Sequence, residues 1–286
     1  MKMAVRPARI GQSNRGSVSI GRQQVSQPIT YPAPKDGLVT TADMASQRPG
    51  SASVLRNFFP TLTGCKIRGG SQKFGLAVDG TDILSAFKYK YGSIERLFMA
   101  TATAIYNMTA PSAPPATTAA DVSGLSGGDW CAFQHTNAGT SYLVCLNGAN
   151  NRQLFDGSTW TTSPAITFVD GTTMLQLNYG WLFKNREFFL KNATLDAYYL
   201  PLNAVGGAAV VFPLGGVMTK GGSLLTGVSW SLESGDGLND MCVFVSTEGE
   251  IAVYQGDDPS SASTFALKGV YQIGKPLGKN AWIRAG

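Results

Sequence analysis

The side chains able to do chemistry in this chain are few and far apart. His135 is the single histidine among 286 residues. That excludes any multi-histidine metal site, and a His-based triad would have to rely on this one ring. It lies in Phe133-Gln134-His135-Thr136-Asn137 and reads as a plain loop or strand-end histidine. Asp236, Asn239 and Asp240 flank a Gly-rich loop, but their spacing misses the EF-hand pattern, and Asp257-Asp258 would serve equally well to cap a turn. The Gly-Gly pairs at 69–70, 127–128, 206–207, 215–216 and 221–222 lack the Lys-Ser/Thr that completes a phosphate loop, so they read as turns and places of close backbone approach. Cys65, Cys131, Cys145 and Cys242 form no CxxC pair. Three of them sit in or beside apolar runs, where a thiol behaves as a small hydrophobe, and all four read as reduced residues of a protein folded in cytoplasm. The expectation is a non-enzyme with no cofactor and no metal.

What positions these residues is a set of short strands. Charged residues make up 14% of the chain, against a usual quarter, while Gly reaches 34 residues and apolar residues 43%. Low charge with many glycines and aromatics suits strands joined by tight turns, and it leaves weakly charged surfaces that suit burial against partner subunits. Leu97–Thr101 pairs with Ala104–Met108 across a tight turn, and Tyr142–Leu146 with Gln153–Phe155, after which Asp156-Gly157 turns the chain into Thr159–Thr161. Trp181–Phe183, Glu187–Leu190 and Ala197–Leu200 make a third group, and Cys242–Ser246 with Ile251–Gln255 a fourth. One aromatic from each second strand (Tyr106, Phe155, Tyr198, Tyr254) gives a ruler, with separations of roughly 49, 43 and 56 residues, the scale of propeller blades with insertions. The predicted fold is all-β, a β-propeller-like body of four-stranded blades. About four units fit between Phe87 and Gly286, and a strand starting at Ala281 is left without its sheet. The propeller is therefore expected to be incomplete or completed by another chain, because bare strand edges are sticky.

Charge divides the chain. Lys2, Arg6, Arg9, Arg15, Arg22 and Lys35 all precede the first acidic residue, Asp36, and the remainder is close to neutral. Residues 1–47 read as an extended basic N-terminal arm, and 48–286 as the propeller-type body. The arm carries no apolar core of a signal peptide and cannot fold by itself. It reads either as a disordered tail or as an arm that orders against an acidic neighbour, a protein rather than DNA phosphates, since no aromatic before Tyr31 could stack on bases. Ala204–Gly227, apolar and Gly-rich, reads equally as an inter-blade insertion against a neighbour, a loop narrowing a channel, or two ordinary buried strands with Gly turns.

The junction, Arg48–Gly75, should form a short strand, a sharp corner and a second strand. Its Asn57-Phe58-Phe59-Pro60, with Gly64 four positions on and then Arg68-Gly69, resembles the segment that precedes the β-propeller in tail nozzle proteins of short-tailed bacteriophages, also called tail hub or packaged-DNA stabilisation proteins. Leu97–Thr101 with Ile105-Tyr106, and Tyr271–Gly274 with Ala281–Arg284, are similar to blade boundaries of the same family.

The resemblance implies a structural virion protein in the tail, made and assembled in the host cytoplasm. It would form a homo-oligomeric ring, six-fold in the family, below the head-to-tail adaptor, with tail fibres or tailspikes attached. The ring would retain packaged DNA, touch it transiently and without sequence preference, and give the channel for its ejection. No small-molecule substrate is implied. Arg6, Arg9, Arg15, Arg22, Arg56, Asn57, Phe58, Phe59, Pro60 and Arg68 are the expected docking residues. Asp156-Gly157-Ser158-Thr159-Trp160 resembles the structural Asp-box turn of sialidase-type propellers, without its spacing or an accompanying arginine cluster. The alternative is a receptor- or glycan-binding propeller of a tail fibre or spike, which should cluster exposed aromatics on one face, with Trp130, Trp160 and Trp230 as candidates.

Overall fold

The computed structural model describes residues 30–40, 43–110, 117–233 and 238–283. The chain divides into two compact units, Met1–Gln72 and Lys73–Gly286. The Asn57–Arg68 segment thus groups with the first unit and not with the blades. In that unit Gly37–Leu38 pairs in parallel with Ser51–Ala52, and Phe58–Thr61 pairs antiparallel with Gly64–Ile67. The turn falls at Leu62-Thr63, and Pro60 stands within a strand opposite Cys65 instead of making the corner. A two-stranded hairpin has only edges, so a residue without an N–H is tolerated there.

The second unit is all-β and propeller-like, built from four four-stranded antiparallel sheets, each a simple meander. Sheet I comprises Ser85–Tyr91, Ile94–Ala100, Ala104–Asn107 and Ala120–Ser123. Sheet II comprises Cys131–Asn137, Thr140–Leu146, Gln153–Phe155 and Trp160–Thr161. Sheet III comprises Leu177–Phe183, Arg186–Lys191, Asp196–Tyr199 and Val210–Pro213. Sheet IV comprises Leu224–Glu233, Leu238–Ser246, Glu250–Gly256 and Phe265–Gln272. First strands begin about 46 residues apart, a blade-length period. The four ruler aromatics Tyr106, Phe155, Tyr198 and Tyr254 all lie buried on third strands, not second ones, because sheets I, II and IV each have a further strand ahead of the recognised hairpin.

A single such sheet has two apolar faces and must bury them against neighbours. Three aromatic-rich cores do this in sequence. Phe87, Tyr89 and Phe98 of sheet I pack with Leu143, Cys145 and Phe155 of sheet II. Val144 and Leu154 of sheet II share a core with Phe189 and Tyr198 of sheet III, and Trp181 and Phe188 of sheet III pack with Phe244 and Tyr254 of sheet IV. At two of these joints an aromatic ring needs a glycine opposite. A Cβ on Gly180 would sit 2.9 Å from the Phe133 ring, and one on Gly227 would lie 2.3 Å from Trp181.

The sheets alternate in type. Before sheets I and III runs Val-Asp-Gly-Thr (Val78–Thr81 and Val169–Thr172). In both, a two-residue strand upstream (Leu76–Ala77, Ile166–Thr167) pairs in parallel with one between the third and fourth strands (Thr117–Thr118, Gly207–Ala208). Sheets II and IV are instead preceded by Gly127-Gly128 and Gly221-Gly222. In every sheet the turn between second and third strands is tied to the lead-in segment: Thr101 and Thr103 to Asp79, Asn147 to Ser126 and Gly127, Lys191 to Thr172, and Glu250 to the Thr219 and Lys220 amides. Such ties satisfy backbone and side-chain groups that a bare turn would leave to water.

Of the three readings of Ala204–Gly227, that of strands with Gly turns describes the segment. It supplies the fourth strand of sheet III, and Ala209, Leu214 and Met218 are buried in the cores, as ordinary strands with Gly turns would be. Ala281–Ile283 forms no strand. The segment after sheet IV turns back, Lys279 binding the carboxylate and backbone oxygen of Asp129 (both 2.9 Å), and Trp282 lines a cleft with first-strand residues of sheets II, III and IV.

Candidate functional site

The Asn57–Arg68 hairpin carries its apolar side chains outward. A hairpin of two four-residue strands is too small for alternation alone to hide its apolar side chains. Phe58, Phe59, Leu62 and Ile67 are 46%, 57%, 99% and 68% exposed, with Phe58 directly opposite Ile67 and Phe59 opposite Lys66. Arg56, Lys66 and Arg68 are exposed beside them. Asn57 takes the left-handed region at φ 61°, a conformation its short amide tolerates, and its carbonyl accepts the Arg68 N–H at 2.7 Å to close the strand ends. The Thr61 hydroxyl accepts the Gly64 N–H at 3.1 Å and ties the tip. The structure therefore brings Arg56, Asn57, Phe58, Phe59, Pro60 and Arg68 together on one small exposed element. Arg6, Arg9, Arg15 and Arg22 lie outside the described residues.

A second apolar surface lies on sheet IV, on the face turned away from sheet III. Val228 and Trp230 of its first strand, Met241 and Val243 of the second, Ile251 and Val253 of the third, and Lys268 and Tyr271 of the fourth line an open cleft of about 490 Å³. Trp230 and Tyr271 are 48% and 58% exposed at its walls. Sequence reasoning missed this surface because its first and fourth strands were not recognised. Of the three tryptophans considered for glycan binding, only Trp230 stands out in solvent. Trp130 is buried, and Trp160 packs edge-on to Phe87 and Phe98 in the core between sheets I and II.

His135 is neither in a loop nor at a strand end. It is fully buried within the first strand of sheet II, and its Nδ1 lies 2.7 Å from Oε1 of the equally buried Glu187 on sheet III. Arg152 donates to the other Glu187 oxygen at 2.8 Å and to the Pro164 and Val205 carbonyls at 2.7 and 2.5 Å. Burial lowers the Arg152 pKa, and the Glu187 carboxylate opposes that shift. The His135 Nε2 has no hydrogen-bond partner, so this cluster fastens two sheets and holds no nucleophile against the ring. Its partners are 17 and 52 residues away in sequence, and no local signal connects them.

Two loop carboxylates are also well held. Asp170 accepts from the Tyr198 hydroxyl and the Thr172 N–H, which bring its pKa down to about 2. For Asp79 burial acts upward, but hydrogen bonds from Thr101, Thr81 and Thr103 outweigh it and leave the pKa at about 2. Asp240 accepts from Ser231 at 2.6 Å, while Asp236 lies outside the described residues. Asp156 binds the Ser158 and Thr159 amides at 2.8 and 2.7 Å, an Asx turn that explains the box-like sequence. Among the described residues no three His, Cys, Asp or Glu side chains converge to hold an ion. All four cysteines are free; burial raises the Cys131 thiol pKa to about 11 and those of Cys145 and Cys242 well above the usual value.

No family model matches the chain, and no curated protein matches it.

Proposed function

We propose that this chain is a structural subunit of a short-tailed phage virion, a nozzle or hub protein that assembles into a ring below the head-to-tail adaptor. The ring retains the packaged genome and lets it pass at ejection, and no reaction is catalysed. The observation that carries the reading is the exposed hairpin with Phe58, Phe59, Leu62 and Ile67 flanked by Arg56, Lys66 and Arg68. An apolar centre with a basic rim is the composition of a surface buried against a partner. Its sequence is also the segment that resembles the nozzle family. The adaptor is the partner assigned to the hairpin and the basic arm, and tail fibres or spikes attach to the body. A body close to neutral suits a channel wall, since strong positive charge would hold phosphates and slow the DNA.

Electron microscopy of the negatively stained, purified protein tests this. Class averages with a closed ring and a central hole are expected, and a monomer at every concentration would defeat it. The exposed pair Trp230 and Tyr271 favours one second reading, a carbohydrate-binding propeller of a fibre or spike. Titration with host surface polysaccharide separates the two: saturable quenching of tryptophan fluorescence by a protein that forms no rings supports the second.

A further inference from the structure

The two outermost sheets of the body present faces that match each other in the way sheets II and III do. On sheet II, Phe133, Val144 and Leu154 form one cross-strand row, and His135 with Tyr142 the next. Sheet III meets them with the row Gly180–Phe189–Tyr198, then Leu182 with Glu187. On the open face of sheet IV the corresponding rows are Val228–Val243–Val253, then Trp230 with Met241. On sheet I, Phe87 and Tyr89 face sheet II, so Ala86, Lys88 and Lys90 alternate to the outer face. The rows there are Ala86–Met99–Tyr106, then Lys88 with Leu97. Small, bulky, tyrosine is thus the order on both Val-Asp-Gly-Thr sheets.

The second row changes on both sides at once. Where sheets II and III join a buried His135 to Glu187, sheet IV has Trp230 and sheet I has Leu97 beside Lys88. The buried polar pair of the one joint thus corresponds to a largely apolar pair, Trp230 and Leu97, on the two outer faces. Glu95 pairs with Lys88 on the outer face of sheet I, and Lys268 stands at the rim of the cleft on sheet IV, so the two faces carry opposite charges at their edges. Among the described residues the cleft is lined by sheet IV alone, with no residue of sheet I.

We propose that copies of this chain join head to tail, the open face of sheet IV receiving the outer face of sheet I of a second copy. The contact continues the stacking already present between sheets II and III. A heterologous contact of this kind closes into a ring when the rotation per copy allows. The inference rests on the reading of the chain as a self-assembling subunit and names the surfaces that join it.

The test uses the full chain and two variants at exposed positions, Trp230→Asp on sheet IV and Ala86→Asp on sheet I, followed by sedimentation velocity over a concentration series. Unchanged circular dichroism and melting establish that each variant folds. Wild type should assemble as concentration rises, and each variant alone should associate at least about tenfold more weakly. Mixed together, the variants should form a one-to-one dimer, because the mixture retains one intact pair of faces. A wild-type monomer, an Ala86→Asp protein that still self-associates, or assembly indifferent to Trp230→Asp would each overturn the proposal. Rings that persist in Trp230→Asp would remove this contact and leave the nozzle reading standing. Head-to-tail association without a closed, hollow ring would do the reverse.

Discussion

Sheet II and sheet IV carry matching apolar rows, yet one is sealed and the other open. Val144 and Leu154 lie within a core completed by sheet III, whereas Val243 and Val253, buried themselves, floor a cleft at whose walls Trp230 and Tyr271 stand exposed. The difference lies in what stands opposite. The sealed joint adds features that only a specific neighbour can satisfy: a glycine under the Phe133 ring, and a carboxylate between His135 and Arg152. An apolar row alone therefore states that a face prefers cover and leaves the identity of the cover to the facing chain.

The largest effect should come from removing the joint's charge. Glu187→Ala leaves the Arg152 guanidinium buried without its anion, and should cost about 3–5 kcal/mol in urea unfolding followed by tryptophan fluorescence. A loss below about 1 kcal/mol would mean that the joint is wetter than its geometry indicates. Gly180→Ala places a methyl group against Phe133 and the Phe188 carbonyl, and should cost about 1–3 kcal/mol in the same assay.

Acid should weaken the tie beside sheet III. Asp170 has a pKa of about 2 when folded against an ordinary 3.8, so its contribution is present above the ordinary value and is lost as pH falls through about 2. The melting temperature should drop between pH 4 and pH 2, and Asp170→Asn should show a shallower drop. Equal slopes for the two proteins would contradict the assigned hydrogen bond. The smallest effect is expected on the open face: Trp230→Ala should alter the stability of the isolated subunit by less than about 0.5 kcal/mol, since half of that ring is already in water. A larger loss would show that the cleft is not open in solution.

Much of the blade pattern was legible. The central hairpins follow from turn residues between apolar runs, and Tyr106, Phe155, Tyr198 and Tyr254 mark third strands because each sheet needs a bulky residue there to meet its neighbour. The alternation of Val-Asp-Gly-Thr with Gly-Gly lead-ins was also present in the sequence. A ruler built on aromatics alone passes over it, because the signal sits in loops. First strands were harder to see. Leu177–Phe183 and Leu224–Glu233 include Gly180 and Gly227, which weaken a strand pattern locally and make sense only under an aromatic from the adjacent sheet.

The sequence by itself determined that this chain makes many short strands, that each carries an aromatic-rich apolar face, and that Asn57–Arg68 forms a turn-closed apolar and basic segment. These follow from side-chain alternation and turn chemistry, which act over a few residues. Only the tertiary structure decided that His135 is a buried fastener, that Pro60 lies within a strand, and that among the described residues the outer face of sheet IV forms a cleft lined by that sheet alone. Each depends on which residue stands opposite across a joint, and that neighbour comes from a distant part of the chain or from none of it.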